Sequence, residues 1–82
     1  MSPPIRVYSR RGCHLCEELL EGLAPLIRGR ATLTVCDVDT RSDWLTRFNE
    51  KVPVVELDGE VICEYFLDRD ALERALLRAE RR

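Results

Sequence analysis

Two runs rich in β-branched and aliphatic residues, 5–9 and 32–38, bracket a helical stripe of leucines. The stripe is Leu15, Leu19, Leu23 and Leu26 or Ile27, with Leu20 and Ala24 beside it, and this spacing keeps to one helix face. Strand, helix and strand at such intervals require a βαβ unit with parallel strands and a right-handed crossover. The first junction of that unit is Arg10-Arg11-Gly12-Cys13-His14-Leu15-Cys16. Its Cys-x-x-Cys falls where the helix opens, and a pair so placed reads as a redox dithiol.

The physics lies in the helix start. Its first N–H groups have no intrahelical acceptor, and the aligned peptide dipoles add about half a positive charge there. A thiolate at that end is stabilised, so its reactive fraction at neutral pH rises. Gly12 lets the chain turn sharply onto the helix. Arg10 and Arg11 add positive potential if their side chains turn towards the sulfur. Cys13, the outer sulfur near the N-cap, is assigned the attack. Cys16, three residues on and on the same helix face, is placed to resolve a mixed disulfide. His14 favours the thiolate when protonated and is otherwise a surface residue. Glu17 and Glu18 suit the dipole but partly oppose the thiolate.

Pro3 and Pro4 set the earliest start of the first strand. Pro25 removes one hydrogen bond from the helix and crowds the turn before it, so a kink or an end near Ala24 is expected, with Gly29 as the last stop. Asp39 and Thr40 begin a short second helix, with capping-box-like spacing from Thr40 to Asp43. Trp44 and Phe48, four apart, share a face and read as core packing, with a docking surface as the alternative. Residues 52–57 form a third strand, Asp58-Gly59 a hairpin turn, and residues 60–65 the returning strand. Asp68 or Asp70 caps a last helix whose stripe is Ala71 or Leu72, Ala75 or Leu76, and Ala79. Asp70 and Arg74 are spaced for a weak surface pair, and Arg81-Arg82 suits the helix end. The order is βαβαββα.

A proline opening a strand cannot complete the ladder. Pro53 is therefore either an ordinary trans proline at an edge or part of a cis Val52–Pro53 bond that exposes backbone groups to a substrate chain. The residues alone leave both readings open.

The length of 82 residues implies one domain, 1–82, with a modest core. A net charge of -2, with arginine dispersed among acids, argues against nucleic acid as a partner. No run of 18 apolar residues is present, so no membrane span is expected. With no apolar leader in this sequence, the cytoplasm is the expected compartment, and a monomer the expected state. The four cysteines are Cys13, Cys16, Cys36 and Cys63. Cys36 reads as a core thiol. Cys63, on a strand returning towards the Cys13 end, is either a third redox thiol or a buried inert one.

With Cys13-His14-Leu15-Cys16 on the first helix and Val52-Pro53-Val54 opening the hairpin, the chain resembles the glutaredoxin-like members of the thioredoxin superfamily over roughly residues 5–80. The resemblance implies a thioredoxin-like α/β fold: a four-stranded mixed sheet in order 2-1-3-4 with helices on both faces. It implies thiol–disulfide exchange with the first cysteine attacking, and a cis Val52–Pro53 bond supporting substrate contacts. Arg10, Arg11, His14, Leu15, Val52 and Pro53 are then the residues expected to meet a disulfide-containing protein or a low-molecular-weight thiol. Two positions depart from the pattern. His14-Leu15 stands where glutaredoxins commonly have Pro-Tyr. Cys63 and Glu64 fall where a Gly-Gly pair usually helps to hold glutathione; side chains and a negative charge there disfavour that anionic tripeptide, leaving glutathione a doubtful co-substrate. No tightly bound cofactor is expected.

Three rival readings remain. A zinc site would need a second close cysteine pair, and Cys36 and Cys63 are isolated. An iron–sulfur cluster shared by two monomers would use Cys13. A non-enzymatic binding module would keep the fold without the chemistry, although both thiols are present.

Overall fold

β1 (Pro4–Ser9) alternates its side chains, so Ile5 and Val7 face one side of the sheet and Arg6 and Tyr8 the other. The computed structural model describes residues 2–81. Proline opens this strand one residue earlier than expected. A first residue needs no N–H for the ladder, and the Pro4 carbonyl still accepts from Asp58 N–H at 3.0 Å.

α1 (His14–Ile27) carries the chain to β2 (Thr32–Asp37), which lies parallel to β1 with Ile5 opposite Leu33 and Tyr8 opposite Cys36. The helix does not end near Ala24. Pro25 and Glu21 both lie on the exposed face, where water can satisfy the carbonyl that Pro25 leaves unpaired, and buried Ile27 holds the last turn down. Gly29 then leaves the helix at φ 74°.

The second helix starts later than expected. Val38–Thr40 is a single 3-10 turn, closed by Asp37 accepting from Asp39 N–H at 3.0 Å and by the Thr40 hydroxyl donating to Asp37 O at 2.7 Å. Thr40 is thereby spent and caps nothing. α2 (Ser42–Phe48) follows without a side-chain cap, its Asp43 held by the Arg41 guanidinium.

β3 (Val54–Leu57) and β4 (Glu60–Glu64) form the hairpin. Asp58 at φ 51° and Gly59 at φ 87° supply the left-handed pair that a tight two-residue turn needs. The pairing jumps from Val55–Cys63 to Glu56–Val61, which leaves Ile62 as a bulge. α3 (Arg69–Glu80) is capped by Asp68, which accepts from Ala71 N–H at 3.0 Å. Asp70 and Arg74 form no ion pair among the described residues, and Arg82 lies outside them.

The strand order is β2-β1-β3-β4, with β3 antiparallel to both neighbours, as the resemblance implies. Helices cover both faces. On one, Leu19, Leu23 and Ile27 of α1 and Leu72, Ala75 and Leu76 of α3 pack on Ile5, Val7, Val55 and Leu57. On the other, Phe48 packs with Tyr8, Cys36, Val38 and Val54, and Trp44 joins them. Tyr8 stacks on Phe48 at 4.2 Å and meets Trp44 edge-on at 5.6 Å, so the aromatic pair of α2 is core. The buried Glu56 carboxylate on this face accepts from the Tyr8 hydroxyl at 3.2 Å. Among the described residues no helix is long and apolar enough to cross a membrane.

Candidate active site

β1 delivers the chain to one end of the sheet, where Arg10 to Cys13 form a turn. Cys13 N–H donates to Arg10 O at 3.2 Å, and Gly12 sits at φ 73°. A Cβ on Gly12 would meet nothing within 4 Å, so the requirement there is conformational, not steric.

Cys13 is the N-cap of α1, extended at φ -86° and ψ 105°. Its Sγ accepts from Cys16 N–H at 3.1 Å, the place an oxygen takes in an ordinary N-cap. Cys13 O accepts from Glu17 N–H at 3.2 Å and opens the helix. The two Cα atoms are 5.2 Å apart and the sulfurs are disulfide-bonded. Cys13 is half-buried, whereas Cys16 is only 2% exposed. One sulfur therefore faces outward and the other lies beneath it.

His14 projects into solvent. Its Nε2 is 3.2 Å from Glu18 and its Nδ1 3.9 Å from Glu17, so its nearest charges are carboxylates of its own helix. Leu15 turns the other way and is half-buried. It lines a cleft of about 270 Å³ between α1 and the β4–α3 connection, together with Leu19, Gly22, Tyr65, Phe66 and Leu67 and the charged Glu18 and Arg69. Arg11 is exposed and has no hydrogen-bond or ion-pair partner among the described residues. Arg10 does not turn towards the sulfur. Its guanidinium donates to both oxygens of Asp39, at 3.0 and 3.1 Å, and to Asn49 O and Oδ1, at 3.2 and 2.6 Å.

The Val52–Pro53 bond is cis. Tyr8 pairs with Val54, so Pro53 comes one step beyond, at the sheet end where β1 releases Arg10. Pro53 is buried, and its carbonyl accepts from Tyr65 N–H at 2.8 Å. Val52 is half-buried against the α2 cluster. Tyr65, at φ 67°, also donates its hydroxyl to Glu50 O at 2.8 Å.

Asp39, Asn49 and Tyr65 escaped sequence reasoning. Nothing in the chain marks Asp39 or Asn49 as partners of an arginine so distant in sequence. The returning strand, expected over residues 60–65, ends at Glu64, so Tyr65 lies just past it. The aromatic pair Tyr65-Phe66 at its end was the available signal, and Phe66 is 69% exposed.

The other two thiols lie apart in the sheet. Cys36 is buried on β2 and Cys63 half-buried on β4, the opposite edges. Burial pushes both thiols up; for Cys63 an Asp68 backbone N–H bond partly counters it. Among the described residues no group of three or more His, Cys, Asp or Glu is arranged to hold a metal ion.

A mixed sheet in this order, with a dithiol on the first helix and a cis proline at the head of β3, defines the thioredoxin-like fold. The oxidised mitochondrial thioredoxin 3 of Saccharomyces cerevisiae superposes with a TM-score of 0.61 at 21% identity, over 94% of this chain and 78% of that one, which is a likeness of fold alone. The model of the Glutaredoxin-like domain (DUF836) matches residues 4–77, and the chain belongs to that family. It is similar to the glutaredoxin-like protein YDR286C homolog of Dictyostelium discoideum, 29% identical over 75 residues that span 83% of this chain and 69% of that protein. It is also similar to the protein Ne2328 of Nitrosomonas europaea, with a TM-score of 0.81, 32% identity, and 90% and 91% of the two chains covered. Family and close cysteine pair together support a redox-type function.

Proposed function

We propose that the chain is a thiol–disulfide oxidoreductase in which Cys13 attacks and Cys16 resolves. The observation that carries this reading is the unequal exposure of two bonded sulfurs at a helix start. In the reduced form the Cys13 thiolate, facing the α1 N–H groups, attacks one sulfur of a substrate disulfide. A Cys13–substrate disulfide forms, and the other substrate sulfur leaves as a thiolate that takes up a proton. Cys16, deprotonated in turn, attacks the Cys13 sulfur and releases the second substrate thiol. Two electrons pass from the dithiol to the substrate, leaving the Cys13–Cys16 disulfide. A thiol reductant, protein or small molecule, must then reverse the cycle.

The substrate surface comprises Leu15 and the half-buried Val52, with the exposed Arg11 and His14 at the rim; Pro53, which is buried, shapes that surface from beneath. A protein disulfide suits this surface better than glutathione. The half-buried Leu15 borders a cleft that mixes apolar side chains with Glu18 and Arg69, and exposed Glu64 ends β4 near Tyr65, where it would repel an anionic tripeptide. Cys63 is a bystander, since a thiol pushed up by burial is a poor nucleophile at neutral pH.

The test is reduction of a model protein disulfide by the reduced chain. Cys13→Ser should abolish it, by about 10³-fold or more, since no nucleophile replaces the thiolate. Cys16→Ser should instead accumulate a mixed disulfide through Cys13, visible by mass. Activity persisting in Cys13→Ser, or no adduct in Cys16→Ser, would overturn the assignment.

A further inference from the structure

Arg10 stands two residues from Cys13's turn glycine, yet its charge is spent elsewhere. Its Nε and Nη2 form a planar fork on the Asp39 carboxylate, at 3.0 and 3.1 Å. Nη1 reaches Asn49 O at 3.2 Å and Nη2 reaches Asn49 Oδ1 at 2.6 Å. Asp39 belongs to the 3-10 turn after β2, and Asn49 is the residue that closes α2. The carbonyl of Asn49 is one of the groups a helix end leaves without an intrahelical donor. Meanwhile the backbone of Arg10 accepts the Cys13 N–H at 3.2 Å. One residue thus binds the nucleophile's turn by its main chain and two neighbouring segments by its side chain.

We infer that Arg10 is a positioning residue: it clamps the Arg10–Cys13 turn to the β2–α2 connection and the end of α2, and so fixes Cys13 at the N-cap of α1. The geometry favours a clamp over a direct charge effect. A guanidinium answered by two carboxylate oxygens contributes little net potential at a third site. The clamp also needs arginine specifically. Four hydrogen bonds to two partners use the planar fork, which the compact ammonium of lysine cannot reproduce. Arg10 is 33% and Asp39 50% exposed, so solvent screens the pair, and what the contact supplies is geometry, not a large share of stability. Without this contact, the turn keeps its main-chain bonds from Cys13 N–H to Arg10 O and from Glu17 N–H to Cys13 O but loses its tie to Asp39 and Asn49, and Cys13 would be held less firmly against the Cys16 N–H.

This inference rests on Cys13 being the nucleophile of the proposed exchange, but its test does not depend on turnover. The rate of Cys13 alkylation in the reduced protein is followed across pH by mass mapping, for wild type, Arg10→Ala, Arg10→Lys, Asp39→Ala and Arg10→Ala/Asp39→Ala. Near-UV circular dichroism checks that each variant is folded. The clamp predicts that all three single variants slow alkylation at pH 7 by about three- to tenfold and move the profile to higher pH, because a small displacement of a reacting group is costly. It predicts that the double variant is no slower than Arg10→Ala, since both changes break one unit.

Asp39→Ala decides the matter by sign. Were Arg10 acting by charge, removing its counter-carboxylate would speed Cys13 alkylation, and Arg10→Lys would match wild type. Either result overturns the clamp. Should Arg10→Ala fail to fold, Asp39→Ala and Asn49→Ala make the same comparison from the other side of the contact, and both must slow alkylation. A wild-type protein that reduces no disulfide, yet shows these alkylation changes, would remove the oxidoreductase reading and leave the clamp standing.

Discussion

Cys13 differs from the other thiols in what its sulfur meets. It accepts from the Cys16 N–H at a helix start, while the Cys16 side chain lies beneath it at 2% exposure. Cys36 is 6% exposed among Tyr8, Val38, Phe48 and Val54, where burial disfavours the thiolate. Cys63 is half-buried under the α3 start, with burial again the larger influence and a backbone N–H bond from Asp68 the smaller. A thiol whose ionisation is pushed up stays protonated at neutral pH, and only the thiolate is a good nucleophile. Brief treatment of the reduced protein with iodoacetamide at pH 7 should therefore label Cys13 first. Cys36 and Cys63 should lag by about tenfold or more, and the difference should vanish in denaturant. Peptide mass mapping reads this directly. Labelling of Cys63 at the Cys13 rate would return it to the list of redox thiols.

Between the elements, one arginine holds the far end of the molecule as Arg10 holds the near end. Arg30, in the turn from α1 to β2, donates to both oxygens of Glu73 at 2.9 and 3.0 Å, and to Glu80 at 3.0 and 3.4 Å. Glu73 and Glu80 lie two turns apart on one face of α3, so the guanidinium spans half that helix. Arg30 holds the Glu73 carboxyl below the usual carboxylate range. A carboxylate favoured in the folded state adds stability above its unfolded pKa, about 4.3 for glutamate, and loses it as pH falls through the folded value. Arg30→Ala should then lower the melting temperature at pH 7 by about 2–4 °C, a modest effect because the groups are partly exposed. The gap between variant and wild type should close as pH drops below about 4. A gap that persists at pH 2 would mean that Arg30 stabilises by packing instead. The elements that this bridge joins were legible from residue spacing, because apolar periodicity is a local property. The leucine stripe and the Asp58-Gly59 turn follow from neighbours in the chain, as does a cap at Asp68 or Asp70, of which the helix uses Asp68. The bridge was not legible, since Arg30 and Glu73 are 43 positions apart. The same limit explains Arg10, whose partner Asp39 is 29 positions away. Thr40 is a different case, a choice between two local partners: its hydroxyl bonds the Asp37 carbonyl three positions back instead of capping α2. The dithiol was readable because its two members and its helix are contiguous. Tyr65's left-handed conformation was not, because its amide and hydroxyl bonds go to Pro53 and Glu50.

The two helical layers share their floor, and this bears on how the molecule comes apart. Ile5 and Val7 serve the α1–α3 face, and Tyr8 on the same strand serves the α2 face; Val55 and Val54 divide in the same way on β3. α2 has only 7 residues, too few to be helical without a surface to lie on. That surface is Tyr8 and Val54, which are in place only while the sheet is whole. Conversely, a sheet stripped of α2 would expose Tyr8, Cys36 and Val54 to water. Removing about 25 cal/mol per Å² of apolar burial from those strands weakens the floor of the opposite layer too. The Arg10 contacts to Asp39 and Asn49 add a further tie between the layers. The halves should therefore unfold together. Trp44, the single tryptophan, lies on α2 against Tyr8 and reports that layer by fluorescence, whereas far-ultraviolet circular dichroism is dominated by α1 and α3. In urea the two signals should trace one transition with the same midpoint, as coincident probes do in a two-state domain. A tryptophan transition at clearly lower urea would show α2 detaching from an intact sheet. The aromatic stack would then be too weak to couple the faces, and the shared-strand account of this fold's cooperativity would fail.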